Sequence, residues 1–276
     1  MELDVQWVDY RSGDAAVPAY LARPARVREP LPAVLVIQEI WGVDGHIQDL
    51  VRRFATAGYV AFAPDLYAHG GRRPDAFEPK RVEAAKSFLD TIPHTAWREP
   101  AERDRALGRL PEPERQRVGE TLGVLMAPER PIERYVADLR AAVAFVRAHP
   151  ACGGRRIGST GYCMGGALSA LLACAEPDLA AAVIYYGAAP GADRIAGIRC
   201  PLLGFYGGED PRITDGVPAF ADALRAAGKA FEAHVYPGAP HAFFNDERRS
   251  YHVTAARDAW ARTLLFFAQH LAGSAA

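Results

Sequence analysis

Five consecutive residues, Gly161, Tyr162, Cys163, Met164 and Gly165, set a cysteine between two glycines, each two positions away. They lie where an apolar run, "RRIGSTGY", gives way to a helical one, "MGGALSALLACA". At a sharp strand-to-helix turn a nucleophile is held in a strained backbone conformation, and its flanking positions must be small because strand and helix approach closely. A thiol at such a corner faces the positive end of a helix dipole and unpaired N–H groups, which favour the nucleophilic thiolate. A nucleophile of this kind needs a base, and the base needs a group that orients it. In enzymes built on this corner the acid and then the histidine follow the nucleophile in the chain. "GFYGGEDPRIT" supplies Asp210, with Glu209 beside it, just after an apolar strand, and "YPGAPHAFFND" supplies His241 in a Gly/Pro-rich loop after the next. The other seven histidines, His46, His69, His94, His149, His234, His252 and His270, have no such loop at that point in the order. Cys152, Cys174 and Cys200 lack the flanking glycines and read as structural thiols.

The elements that must position these groups alternate. "LDVQWVDYRSGDAAVPAYLARP" predicts two strands joined at "SGD". Ala33 to Ile37 form an apolar run suited to a strand buried on both faces. Ile47, Leu50, Val51, Phe54 and Ala55 recur at helical spacing, and Gly58 marks that helix's end. "YVAFAPDLY" is a second buried strand. Residues from about 69 to 130 break the pattern: a loop rich in Gly, Pro and charge, then "KRVEAAKSFLDTI" and "EPERQRVGETLGVLM", which predict helices. This stretch reads as a helical insertion, either part of a lid or a structural excursion. Beyond it a helix that Pro131 opens, the cysteine corner, and strands in "LAAAVIYYG", "CPLLGFYGGED" and "AFEAHVYPG" alternate with further helices. The expectation is an α/β fold in one domain over 1–276, with a mostly parallel central sheet covered by helices on both faces.

Bulk properties narrow the classes. With 276 residues, half of them apolar, the chain suffices for a full core. A net charge of −1 with scattered arginines gives no sign of nucleic-acid or anionic-membrane binding. No run is as long as a membrane span, and the start "MELDVQWVDYRSGD" lacks an apolar signal core, so a cytoplasmic location is expected. Four cysteines without C-x-x-C pairing or zinc spacing fit a reducing compartment and predict no metal site.

Four blocks in order, "QEIWGVDGHIQDLVRRFATAGYVAFAPDLY", "GYCMGGALS", "GGEDP" and "GAPHAFFND", resemble the dienelactone hydrolase (carboxymethylenebutenolidase-like) family of the α/β-hydrolase fold. The resemblance runs from about residue 15 to 270 and weakens across 69–130. It implies a carboxylic ester hydrolase with a Cys163–His241–Asp210 triad, and so selects Asp210 over Glu209. It implies that Glu39, in "QEIWG", helps generate the thiolate when substrate arrives. The backbone N–H groups of Ile40 and Met164 would form the oxyanion hole. The implied reaction is two-step acyl transfer on a small-molecule ester or lactone, with no metal or organic cofactor and no nucleic-acid or membrane partner, by a monomer or homodimer.

The resemblance fails where the substrate's acid would bind. In the best-known relatives a clamp arginine lies four residues after the catalytic histidine, where this chain has Asn245, and Ala242 replaces the serine that follows that histidine. Arg81 is the nearest candidate for a second clamp, with Arg72 and Arg73 close by but read as surface residues. The expected specificity is therefore different from, or broader than, dienelactone. Trp41, Tyr162 and Phe243 flank the expected reactive centre and either line the pocket or pack in the core. Two other functions share these residues: a non-catalytic ligand-binding relative, and an acyltransferase using the same triad.

Overall fold

A computed structural model describes residues 1–97 and 99–273. Eight strands form one sheet: β1 (Leu3–Ser12), β2 (Ala15–Pro24), β3 (Ala33–Ile37), β4 (Val60–Pro64), β5 (Ile157–Tyr162), β6 (Ala181–Tyr185), β7 (Leu202–Gly207) and β8 (Phe231–Tyr236). β1 and β2 are the hairpin that "SGD" predicts, turning through Gly13 at φ 58°. The order across the sheet is β1-β2-β4-β3-β5-β6-β7-β8, antiparallel at the β1–β2 and β2–β4 pairings and parallel from β4 onward. The sheet is thus mostly parallel, as the alternation of elements requires.

The helices are α1 (Gly45–Thr56), α2 (Pro79–Asp90), α3 (Pro100–Leu107), α4 (Glu114–Leu125), α5 (Ile132–Ala148), α6 (Met164–Ala175), α7 (Pro211–Thr214), α8 (Val217–Ala226) and α9 (Val253–His270). Side chains alternate across a strand, so the fully buried strands must be covered twice. On one face Val34, Val36, Val183 and Phe205 pack with Ile47, Leu50 and Phe54 of α1 and Phe267 of α9. On the other, Phe62 meets Phe145 of α5, and Ser159 of β5 bonds Ser169 of α6 at 2.8 Å. Asp44 caps α1 by accepting from the Ile47 N–H at 3.1 Å. Gly58, at φ 98°, follows that helix's last cap residue and releases the chain into β4.

The chain divides into two compact units. One comprises Met1–Gly71 and the chain from Ile132 onward; the other is Arg72–Pro131. The second unit is helical. Within it Val82, Ala85 and Leu89 of α2 and Val118, Leu122 and Leu125 of α4 are buried, and Arg81 of α2 joins Glu120 of α4 at 2.6 Å. α3 is an addition to the two helices read from the sequence there. It has no buried residue, so no apolar periodicity announced it. Among the described residues no helix is long and apolar enough to cross a membrane.

Candidate active site

Parallel pairing brings strand ends together. Ile37 pairs with Gly161, Tyr162 with Tyr185, Tyr185 with Phe205, and Gly207 with Tyr236. Glu39, Cys163, Tyr186, Asp210 and His241 all lie just past the carboxyl ends of successive neighbouring strands, β3, β5, β6, β7 and β8. The strand order reverses between β3 and β5, and such a switch point is where open α/β sheets bind ligands.

The corner after β5 is as tight as its glycines require. Cys163 has φ 55° and ψ −112°, a region that L-residues seldom adopt, and its N–H donates to the Tyr185 carbonyl at 3.0 Å. A Cβ on Gly161 would lie 1.9 Å from the Gly165 carbonyl oxygen, and one on Gly165 would lie 2.3 Å from that of Ile37. Cys163 is partly accessible, as is Cys174, whereas Cys152 and Cys200 are buried.

His241 Nδ1 lies 2.5 Å from Asp210 Oδ2, and both side chains are largely shielded from solvent. Burial works against a charge on the His241 ring. The Cys163 charge and the Asp210 bond outweigh it, raising the imidazole from 6.5 to about 10. These influences put Cys163, His241 and Asp210 in one electrostatic neighbourhood. Glu209 is exposed, while its neighbour Asp210 is buried.

Glu39 is 2% exposed. Tyr186 donates to its Oε1 at 3.2 Å and Asn245 donates to its Oε2 at 2.7 Å. The position read from the sequence as a missing arginine therefore has its own task, holding this carboxylate. Ile40 follows Glu39, and Tyr67 donates to the Ile40 carbonyl at 2.9 Å while reaching Met164 Sδ at 4.0 Å. Tyr67 thus ties together the two segments whose N–H groups were expected to form the oxyanion hole.

The remaining expected pocket residues face inward or are engaged within the second unit. Tyr162 is wholly buried, stacked on Tyr185 with centroids 4.6 Å apart and on Phe244 at 5.6 Å. Phe243 is also wholly buried, against Tyr186 and Tyr236. A ring enclosed on all sides offers no face to a substrate, so both are core residues here. Trp41 is 4% exposed beneath the Arg248 guanidinium, 5.2 Å away. Arg81 is committed within the second unit to Glu120, to Thr121 Oγ1 at 3.2 Å and to the Arg117 carbonyl at 3.1 Å. Arg73 is buried there and donates to the Phe77 carbonyl, which corrects its reading as a surface side chain.

Sequence reasoning missed Tyr186. It has φ 40°, is 1% exposed, bonds Glu39 and presents its ring to that of His241 with centroids 5.1 Å apart. Its only signal was the tyrosine pair ending "VIYYG". Ala242 is likewise left-handed, at φ 60°, immediately after His241. Three strand ends on the same edge, after β5, β6 and β8, therefore carry non-glycine residues at positive φ, and backbone strain of this kind collects at functional sites.

Eight strands in this order, with a candidate nucleophile on the strand-to-helix corner and a histidine–carboxylate pair on the strand ends beyond it, define the class of α/β-hydrolases. Within that class the affiliation is specific. The model of the Dienelactone hydrolase family matches residues 17–271. The chain belongs to the dienelactone hydrolase family, whose activity is that of carboxylic ester and lactone hydrolases. It is 36% identical to a protein of Saccharolobus solfataricus provisionally named a carboxymethylenebutenolidase, over 93% of this chain and 95% of that one. A protein of Escherichia coli K12 with the same provisional name is 35% identical, over 92% of this chain and 83% of its own length. The crystal structure of a provisionally named dienelactone hydrolase from Klebsiella pneumoniae superposes with a TM-score of 0.75 at 33% identity, covering 98% of this chain and all of that one.

Proposed function

We propose that the protein hydrolyses small-molecule esters or lactones through a thioester acyl-enzyme on Cys163. The observation that carries this reading is the His241 imidazole, bonded to Asp210 at 2.5 Å and drawn toward its charged form by Cys163. The Cys163 thiolate attacks the substrate carbonyl carbon, and the oxyanion rests on the N–H groups of Ile40 and Met164. Each such donor is typically worth about 10²–10³ in turnover. The carbon–oxygen bond to the leaving alkoxide then breaks, and the His241 imidazolium gives that alkoxide its proton. Neutral His241 next takes a proton from water as the oxygen attacks the thioester. The carbon–sulfur bond breaks, the acid product departs, and His241 is again protonated beside a thiolate. Asp210 keeps the ring aligned throughout.

The cycle begins and ends with the thiolate, and Glu39 acts only on enzyme whose Cys163 is a thiol, as the acceptor of its proton. Both of its oxygens are engaged, by Tyr186 and Asn245, so a turn toward the sulfur requires exchange of one of these bonds. Because Asn245 occupies the clamp position and is spent on Glu39, the specificity departs from that of dienelactone enzymes.

Iodoacetamide labelling at neutral pH tests the nucleophile. Burial pushes Cys152 up, Cys174 to about 11 and Cys200 to about 12, so those three stay protonated and slow. One equivalent should label Cys163 and abolish p-nitrophenyl acetate turnover, and Cys163→Ala should lack both label and activity. Turnover that survives in Cys163→Ala would point to another nucleophile.

A further inference from the structure

Ile40 carries one of the two N–H groups assigned above to the oxyanion, and that N–H makes no hydrogen bond with any described residue. An open donor serves a reaction only if it is held in place, because a misplacement of about 1 Å can cost about hundredfold in rate. The segment from Glu39 to Gly42 does little to hold itself. It lies beyond the end of β3, and its one internal backbone bond, from the Gly42 N–H to the Glu39 carbonyl, is long at 3.4 Å. Its fixed points come from outside. On one side of the Ile40 N–H, the Glu39 carboxylate is gripped by Tyr186 and Asn245. On the other, the Ile40 carbonyl accepts from the Tyr67 hydroxyl at 2.9 Å.

Tyr67 is itself a fixed post. It follows β4, the parallel neighbour of β3, and is 4% exposed. Its N–H donates to Asp65 Oδ1 at 3.2 Å. The adjacent Leu66 N–H donates at 3.1 Å to Oε1 of Gln38, the wholly buried residue before Glu39. The Tyr67 ring stands edge-on to that of Tyr135 in α5, with centroids 6.3 Å apart. Its hydroxyl has one proton to give, and a carbonyl is a stronger acceptor than a thioether. Met164 Sδ, at 4.0 Å, is therefore a packing contact, made with the residue that carries the second oxyanion N–H.

We propose that Tyr67 is a positioning residue for the oxyanion site: its hydroxyl holds the Ile40 carbonyl so that the N–H of the same residue stays aimed at the reacting centre. The inference rests on the hydrolytic reading above and adds the group that keeps one of its donors in place. Tyr67 acts through Ile40 and needs no contact with substrate.

Tyr67→Phe removes the hydroxyl and keeps the ring against Tyr135. For p-nitrophenyl acetate, kcat and kcat/KM should fall together by about ten- to hundredfold with KM within about twofold, because the donor matters only once the oxyanion forms. Alkylation of Cys163 by iodoacetamide should stay within about twofold of wild type and at one equivalent, since displacement at a tetrahedral carbon makes no oxyanion and senses only the thiolate. A merely structural loss would slow both reactions or open further cysteines to the label. Equal slowing of both, labelling of more than one cysteine, a loss confined to KM, or no change in either would overturn the positioning role and leave hydrolysis standing. If wild type does not cleave the ester, the hydrolytic reading fails on its own, and backbone amide relaxation by NMR decides the role of Tyr67. The Ile40 order parameter should then fall in Tyr67→Phe from the rigid range of about 0.85, and an unchanged value would overturn it.

Discussion

His241 carries the most information of any single residue. Burial alone would lower its proton affinity, yet it stands at about 10 because Cys163 and Asp210 hold the ring charged. The strongest of these raising influences is the Cys163 charge, so Cys163→Ala should move the His241 titration down toward 6.5, read from its ring proton by NMR. An unchanged midpoint would mean that sulfur and imidazole do not interact. The three positions of the proposed triad each carry a local signature in the sequence: flanking glycines for Cys163, and a Gly/Pro loop or a strand end at the right point in the chain for His241 and Asp210. Tyr186 and Tyr67 were not, because their tasks depend on partners 147 and 27 residues away, Glu39 and Ile40. Asn245 was read by what it lacks, a guanidinium. Its actual task required knowing that Glu39 lies 2.7 Å away across 206 residues of chain.

Among the elements, the strand-to-helix corner and the loop after β8 bear on function most. Gly165→Ala would drive a methyl to 2.3 Å from the Ile37 carbonyl, backbone against backbone with no flexible tip to yield. A loss of about 3 kcal/mol or more is expected, seen as a lowered urea midpoint or no soluble protein. The loop after β8 is tied to α1 by Asp246, which receives Arg53 at 2.5 Å and lies 3.3 Å from the wholly buried His46, an ion-pair contact rather than a well-directed hydrogen bond. Burial opposes the His46 charge, but Asp246, Glu39 and Asp44 raise its pKa above 6.5; His46, with Arg53, in turn holds Asp246 below 3.8. A raised histidine stabilises fully below 6.5 and loses that stabilisation as pH climbs through its folded value. A depressed aspartate stabilises above 3.8 and loses that as pH falls through its own. Both contributions are complete only between those limits. Asp246→Asn should therefore cost most near pH 5, about 1–2 kcal/mol after allowing for solvent screening, and less at alkaline pH, where His46 is neutral. Thermal melts should show this as about 2–4 °C per kcal/mol for a domain of roughly this size. A pH-independent difference would assign Asp246 to Arg53 alone. Long periodic elements such as α1 were readable from spacing. α7 was not, because four residues show no period, although it sets the direction of the chain after Asp210.

For the molecule as a whole, alternation was enough to anticipate a mostly parallel, doubly covered sheet, since fully apolar strands such as β3 and β4 admit no other burial. The order of the strands was not written in any one segment. It arises from which edges pair, and it is that order which places Glu39 beside Cys163 and His241 beyond Asp210. In the proposed reaction the ester chemistry of the assembled protein passes through a covalent bond to a single sulfur. Rapid acid quenching during p-nitrophenyl acetate turnover, followed by intact mass and peptide mapping, tests this most directly. One acetyl group is expected on the peptide containing Cys163, absent from Cys163→Ala. Steady turnover with no acetylated enzyme at any quench time, or an acetyl group carried on another residue, would contradict it.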